Sequence, residues 1–138
     1  MPSIDVFARS AIISSRPVGP SARRYANAAA IIASPFEPDE MLVQLQMIEQ
    51  HFGRLRRGQN WRSRTLDLDI LLWSGGIWCS DGPPLAIPHP HMHLRNFVLN
   101  PAASIAGNWR HPITGYTIKH LVKRINRSKL LDPLHRAD

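Results

Sequence analysis

The chain has 138 residues, of which 43% are hydrophobic, enough for one domain with a modest core. Its formal net charge of +7 favours anionic partners such as nucleotides, nucleic acid or anionic lipid without choosing among them. The single cysteine, Cys79, excludes an internal disulfide and a cysteine-rich zinc site, and it suits a reducing cytoplasm. No apolar run approaches membrane-spanning length. The segment Ile4 to Arg9 carries an acid and a base where a signal peptide would need an apolar core.

Val6 to Ser15 is rich in β-branched and apolar residues and predicts a strand. Arg16-Pro17-Val18-Gly19-Pro20 then forces a loop, because two prolines fix φ and remove amide donors. Tyr25-Ala26-Asn27 leads into Ala28 to Ala33, whose shortness and flanking turn residues favour a strand over a helix. Pro38 suits the first position of a helix, with Glu37, Asp39 and Glu40 complementing its positive end. Met41, Leu42, Leu45, Ile48 and Phe52 form an apolar stripe at helical spacing, read as core packing, and Gly53 is expected to stop the helix. Glu49 sits late in that helix, where a carboxylate opposes the dipole, a weak pointer to a functional acid.

Arg64 to Trp73 is the most informative stretch. Leu66, Leu68, Ile70 and Leu72 alternate with Thr65, Asp67 and Asp69, a period of two that predicts a half-buried strand. Two carboxylates then leave one face roughly 6–7 Å apart at Cα. Like charges that close suggest a cation between them. Arg54, Arg56, Arg57, Arg62 and Arg64 run directly into the pair. Together they suggest a metal–polyphosphate site, although an Asp-x-Asp strand can also simply face water.

Ser74-Gly75-Gly76 marks a tight turn into Ile77-Trp78-Cys79, expected as the hairpin partner of the acidic strand. Asp81-Gly82-Pro83-Pro84 makes another break, followed by the short apolar run Leu85-Ala86-Ile87 and a loop from Pro88 to His93. Phe97 to Ala106 reads as irregular or short helical structure. Thr117 is expected to cap a last helix through Ile125, with Ile118, Leu121, Val122 and Ile125 on one side. The element order predicts an α+β domain, a single unit over residues 1–138, with a mostly antiparallel sheet.

Among candidate chemistries, zinc binding by His89, His91 and His93 is disfavoured. Pro88 and Pro90 break a regular strand, and no sulfur or carboxylate ligand lies nearby in sequence. Donation to a phosphate by a histidine beside Arg95 fits better. With no Walker-type glycine loop, a nucleotide would be held by side chains. Trp61 and Phe97 offer flat apolar faces to a heterocycle.

The run Trp61 to Leu72 resembles the signature of the 6-hydroxymethyl-7,8-dihydropterin pyrophosphokinases of folate biosynthesis. The likeness continues through Leu85 to Leu99 and backward through Gly19-Pro20, Tyr25 to Ala29 and Gln46 to Glu49 to Arg56, covering roughly Phe7 to Ile105. It implies a ferredoxin-like sandwich and transfer of diphosphate from ATP to the pterin's hydroxymethyl oxygen, releasing AMP. Asp67 and Asp69 would hold two Mg2+ ions. Gln46, Glu49, Arg54, Arg56, Arg64, His89 and Arg95 would contact ATP, with Arg54, Arg64 and Arg95 serving the transfer. Asn27 would read the pterin's polar edge, and Phe97 would stack on its ring. Val18 and Tyr25 would line the pocket, and Trp61 would close over it from a mobile loop. The partners would be these small molecules rather than nucleic acid or membrane, with the chain a monomer.

The resemblance also implies a first strand ending in Gly-Ser-Asn and a long helix, for which this chain has no matching residues. The expectation is a shortened version of the enzyme. A catalytically impaired remnant and a small basic nucleic-acid-binding module are the alternatives. Arg62-Ser63, His91 and Arg16 depart from the family pattern without removing a metal ligand.

Overall fold

The computed structural model describes residues 3–15, 25–55, 66–82 and 84–131, excluding the side chains of residues 15, 25, 54, 55 and 128–131. In chain order the elements are β1 (Asp5–Arg9), β2 (Ile13–Ser15), β3 (Tyr25–Asn27), β4 (Ala30–Ala33), α1 (Pro38–Leu55), β5 (Trp78–Cys79), β6 (Ala86–Ile87), a 3-10 turn (Met92–Leu94), α2 (Asn96–Ala106) and α3 (Ile118–Leu131). They make an α+β structure whose strands pair antiparallel, as expected. The chain divides into two compact units, one of Ile4–Ala33 with Pro90–Asp138, the other of Met1–Ser3 with Ser34–His89.

In the first unit, β1 pairs with β4 and β2 with β3. The single strand expected over Val6 to Ser15 is therefore two. The break falls at Ser10, whose N–H donates to Ala29 O at 2.8 Å while its hydroxyl accepts from Ala29 N at 2.8 Å. The hydroxyl takes the place of a carbonyl, so the chain can leave one ladder and enter the next with Ala29 satisfied. A bulge at Phe7 shifts the β1–β4 register, from Val6 opposite Ile32 to Ala8 opposite Ile31.

Helices α2 and α3 pack together and hold this unit's core: Leu99, Ala102 and Ala106 from α2, Ile118 and Leu121 from α3, and Met92. The stretch from Phe97 to Ala106, expected as irregular or short helical structure, lies in a regular 11-residue helix with the buried Pro101 inside it. Burial of an apolar face outweighs the missing proline donor. Thr117 caps α3 as expected, its hydroxyl accepting from His120 N at 3.3 Å. The helix runs past Ile125 to Leu131.

His111, only 3% exposed, organises the loop before α3. Its Nδ1 accepts from Ile113 N at 3.3 Å and Thr114 N at 3.1 Å. Its main chain bonds Tyr116 O and Gly115 N, both at 2.8 Å, with Gly115 taking a φ of +76° that favours glycine. Burial, and then the neighbouring His93, lower the His111 pKa below 6.5.

In the second unit, α1 begins at Pro38 with Asp39 and Glu40 in its first turn, and Met41 N closes the first bond onto Glu37 O at 2.8 Å. Gly53 does not stop it. The helix continues to Leu55 because Gly53 is not in the left-handed conformation a stop requires. The apolar stripe is covered only at its start. Met41 is buried and Leu42 and Leu45 half-buried, whereas Ile48 and Phe52 are 38% and 43% exposed. The core-packing reading therefore holds for the first half of the stripe only.

Residues 66–73 belong to no ladder among the described residues, contrary to the expected strand. The hairpin after them also differs. β5 pairs with β6, Trp78 opposite Ile87 and Cys79 opposite Ala86, rather than with the acidic segment. Ser80 closes that hairpin, donating from N to Leu85 O and accepting from Leu85 N at its hydroxyl, both 3.0 Å. The acidic segment instead ends in a turn in which Gly76 N donates to Trp73 O at 2.9 Å. The Trp73 ring lies where a Cβ on Gly75 would sit, so only glycine fits. Trp73 meets Trp78 edge-on at 5.4 Å, and Trp78 Nε1 donates to Asp39 Oδ1 at 3.0 Å.

Two stability predictions follow from the first unit. Leu99→Ala should lower the unfolding free energy by about 2–5 kcal/mol, against under about 0.5 for the exposed Leu94→Ala, read from urea midpoints. Because folding lowers the His111 pKa, the unfolded chain binds more protons between the folded value and 6.5. His111's contribution is then fully present above pH 6.5 and is lost as pH falls through the folded value. The urea midpoint should fall between pH 7.5 and 5, by less in His111→Gln.

Candidate functional site

The acid pair lies in the second unit. Asp67 and Asp69 are exposed while Leu66, Leu68 and Ile70 are half-buried, so the expected alternation of faces is kept without a ladder. Two main-chain bonds tether the segment. Leu68 N donates to Glu49 Oε2 at 2.7 Å, and His89 N donates to Leu71 O at 2.9 Å. The first reaches from the fourth turn of α1, the second from the residues after β6.

Asp69 Oδ2 stands 3.9 Å from His89 Nε2, with the aspartate side chain 60% exposed and the histidine 20%. That contact is at the limit of an ion pair, and solvent makes it weak. The arrangement leaves hard carboxylate oxygens open to solvent with an imidazole beside them. Among the described residues no three His, Cys, Asp or Glu side chains gather as a metal cage. Two carboxylates fit Mg2+, which commonly takes one or two from a protein and completes its shell with water and substrate phosphates. His89, His91 and His93 form no such cage either, and His89 falls in a different unit from the other two.

Gln46 is exposed on α1. Arg54 lies in the last turn of α1 with its side chain outside the described residues, and Arg56, Arg64, Trp61 and Val18 lie outside them altogether.

The first unit carries the other expected residues. Tyr25 is on β3 opposite Ser15, its side chain outside the described set. Asn27, half-buried, is opposite Ile13. Arg95 is the residue before α2 and is exposed, with an extended backbone and no side-chain cap bond. Its guanidinium lies 6.0 Å from the ring of Phe97, which is 46% exposed. The start of α2 thus presents a cation and an aromatic face together.

Two features were not legible beforehand. The Glu49 bond to Leu68 had only the anomaly of a late helical acid to signal it. The ring contact of His93 with His111, 6.0 Å between centroids, had no signal in the sequence. His93 Nδ1 is buried there with no hydrogen-bond partner among the described atoms.

The second unit thus presents exposed carboxylates beside a histidine, and the first an arginine beside an exposed ring. A family model described as 7,8-dihydro-6-hydroxymethylpterin-pyrophosphokinase matches residues 1–107, and the chain belongs to that family. It is 40% identical over 112 residues to the 2-amino-4-hydroxy-6-hydroxymethyldihydropteridine pyrophosphokinase of Synechocystis sp., covering 81% of this chain and 56% of that protein. With the enzyme of the same name from Pseudomonas aeruginosa it shares 41% over 113 residues, 81% of this chain and 68% of the relative. With that from Haemophilus influenzae it shares 39% over 123 residues, 88% and 74%. The chain therefore spans between about half and three quarters of the length of these relatives.

Proposed function

We propose that this chain transfers the β,γ-diphosphate of ATP to the hydroxymethyl oxygen of 6-hydroxymethyl-7,8-dihydropterin, releasing AMP. The observation that carries the reading is the exposed Asp67–Asp69 pair, its segment bonded by Glu49 with His89 beside Asp69, inside the stretch matched by the family model. Relatives named for the same activity support it. In the reaction the pterin oxygen bonds to the β-phosphorus, the bond to the α-phosphate's bridging oxygen breaks, and the hydroxymethyl proton is lost. Mg2+, taken as two ions, would supply charge neutralisation for the triphosphate.

The protein's own groups orient the reactants. Asp67 and Asp69 would hold the Mg2+ ions. His89 and Arg95 donate to phosphate oxygens, as do Arg54, Arg56 and Arg64 in the resemblance. Gln46 lies on the nucleotide side. Phe97 stacks on the pterin and Asn27 pairs with its polar edge. In the resemblance, Tyr25, Val18 and Trp61 would line the pterin's side of the site and limit access of water. No protein nucleophile is required, so preorganised charge carries the rate.

We read residues 1–138 as one ferredoxin-like domain. The family match over residues 1–107, which enters both units, supports that reading. We read the chain as a cytoplasmic monomer, its single cysteine suiting a reducing compartment.

The chain mixed with ATP, Mg2+ and hydroxymethyl-dihydropterin should release AMP in step with pterin diphosphate. Asp67→Ala and Asp69→Ala should each cut that rate at least about 100-fold, about 2.7 kcal/mol of barrier, with unchanged circular dichroism. Wild-type rates in both variants would refute the metal role. AMP-free mixtures with the unaltered chain would refute the activity.

A further inference from the structure

The acids must be aimed before they can share a cation, and the ladder that would ordinarily aim them is lacking among the described residues. Asp67 and Asp69 flank Leu68, so the Leu68 N–H belongs to the peptide that joins the first acid to the residue between them. Fixing that N–H fixes the peptide plane, and with it the direction in which Asp67 leaves the chain; Asp69 follows two residues on, on the same face. The group that fixes it is the Glu49 carboxylate, at 2.7 Å, a short charge-assisted bond. It comes from the interior of an 18-residue helix, a rigid platform.

We propose that Glu49 is a positioning residue: through the Leu68 N–H it sets the Asp67 and Asp69 carboxylates to receive a divalent cation, and it is not itself a ligand. This rests on the acid pair being the cation site, as proposed above. The assignment differs from a direct ATP contact for Glu49, because the oxygen shown engaged is turned to the protein's own backbone. An amide oxygen can accept the same bond, so Gln should replace Glu here. Asp keeps the charge but falls one methylene short, so it should not.

Mn2+ affinity of the full chain, read by electron paramagnetic resonance without nucleotide, and Leu68 amide hydrogen exchange in metal-free protein test this together. Glu49→Gln should stay within about threefold of wild type in both. Glu49→Ala and Glu49→Asp should bind Mn2+ at least tenfold more weakly and exchange the Leu68 amide at least tenfold faster. If Glu49→Ala does not fold, Glu49→Asp and Glu49→Gln still decide the matter. Wild-type Mn2+ affinity in Glu49→Asp with fast Leu68 exchange would overturn the proposal. So would weak Mn2+ binding in Glu49→Gln with slow exchange, which would make Glu49 a ligand. Asp67→Asn should lose Mn2+ while Leu68 exchange stays slow; if it keeps Mn2+, the acid-pair reading fails, whatever Glu49 does.

Discussion

Two carboxylates one residue apart, on a segment with no ladder, are the constraint around which the second unit is arranged. Neither repulsion between the acids nor their hydration would hold them on one face. The holding is done by the main chain: Leu68 N on Glu49 and Leu71 O on His89. The residues that make these bonds come from elements before and after the segment, so α1 and the β5–β6 hairpin both serve the placement of the acids. His89 contributes twice, by its amide to Leu71 and by its ring beside Asp69. Tryptophans at the end of the segment, packed edge to face and tied to α1 through Asp39, close the same arrangement.

The charge of the chain is unevenly spread. Residues 82–131 contain seven lysines and arginines and no acid, while the other 88 residues carry ten of each sign. The whole net charge of +7 therefore belongs to that stretch. Lys119, His120, Lys123, Arg124 and Arg127, with Thr117, line a groove of about 240 Å³ on α3. Like charges three and four residues apart cost a helix a few tenths of a kcal/mol per pair. The apolar side of the same helix, with Ile118 and Leu121 buried, outweighs that cost. Tyr116 offsets part of it by accepting a bond from Arg124 at 3.2 Å and lying beneath its guanidinium at 4.6 Å.

Legibility in the sequence tracked how local the deciding interaction was. Pro38 and Thr117 announced helix starts because a fixed φ and a capping hydroxyl act within one turn. The strand reading of Ala28 to Ala33 held in β4 because short apolar runs between turn residues have few alternatives. The failures were non-local or depended on conformation. Ser10 splits a strand through a partner 19 residues away. Gly53 permits a helix stop without compelling one. The partner of β5 was chosen by pairing with β6 rather than by the nearest turn. Asp67, Asp69 and His89 are proposed for the site from spacing and family likeness, whereas the bond from Leu68 N to Glu49 was not legible.

The sequence by itself determined the family, the residue types available to the chemistry, the faces of the acidic segment and the ends of two helices. All of these rest on spacing along one chain, which alternation, capping and resemblance can read. Only the tertiary structure decided that the acidic segment stands outside a ladder, that a helical glutamate holds it, and that two histidines meet beside α3. Those depend on residues distant in sequence arriving within hydrogen-bond reach, and no periodicity encodes a distance across a fold.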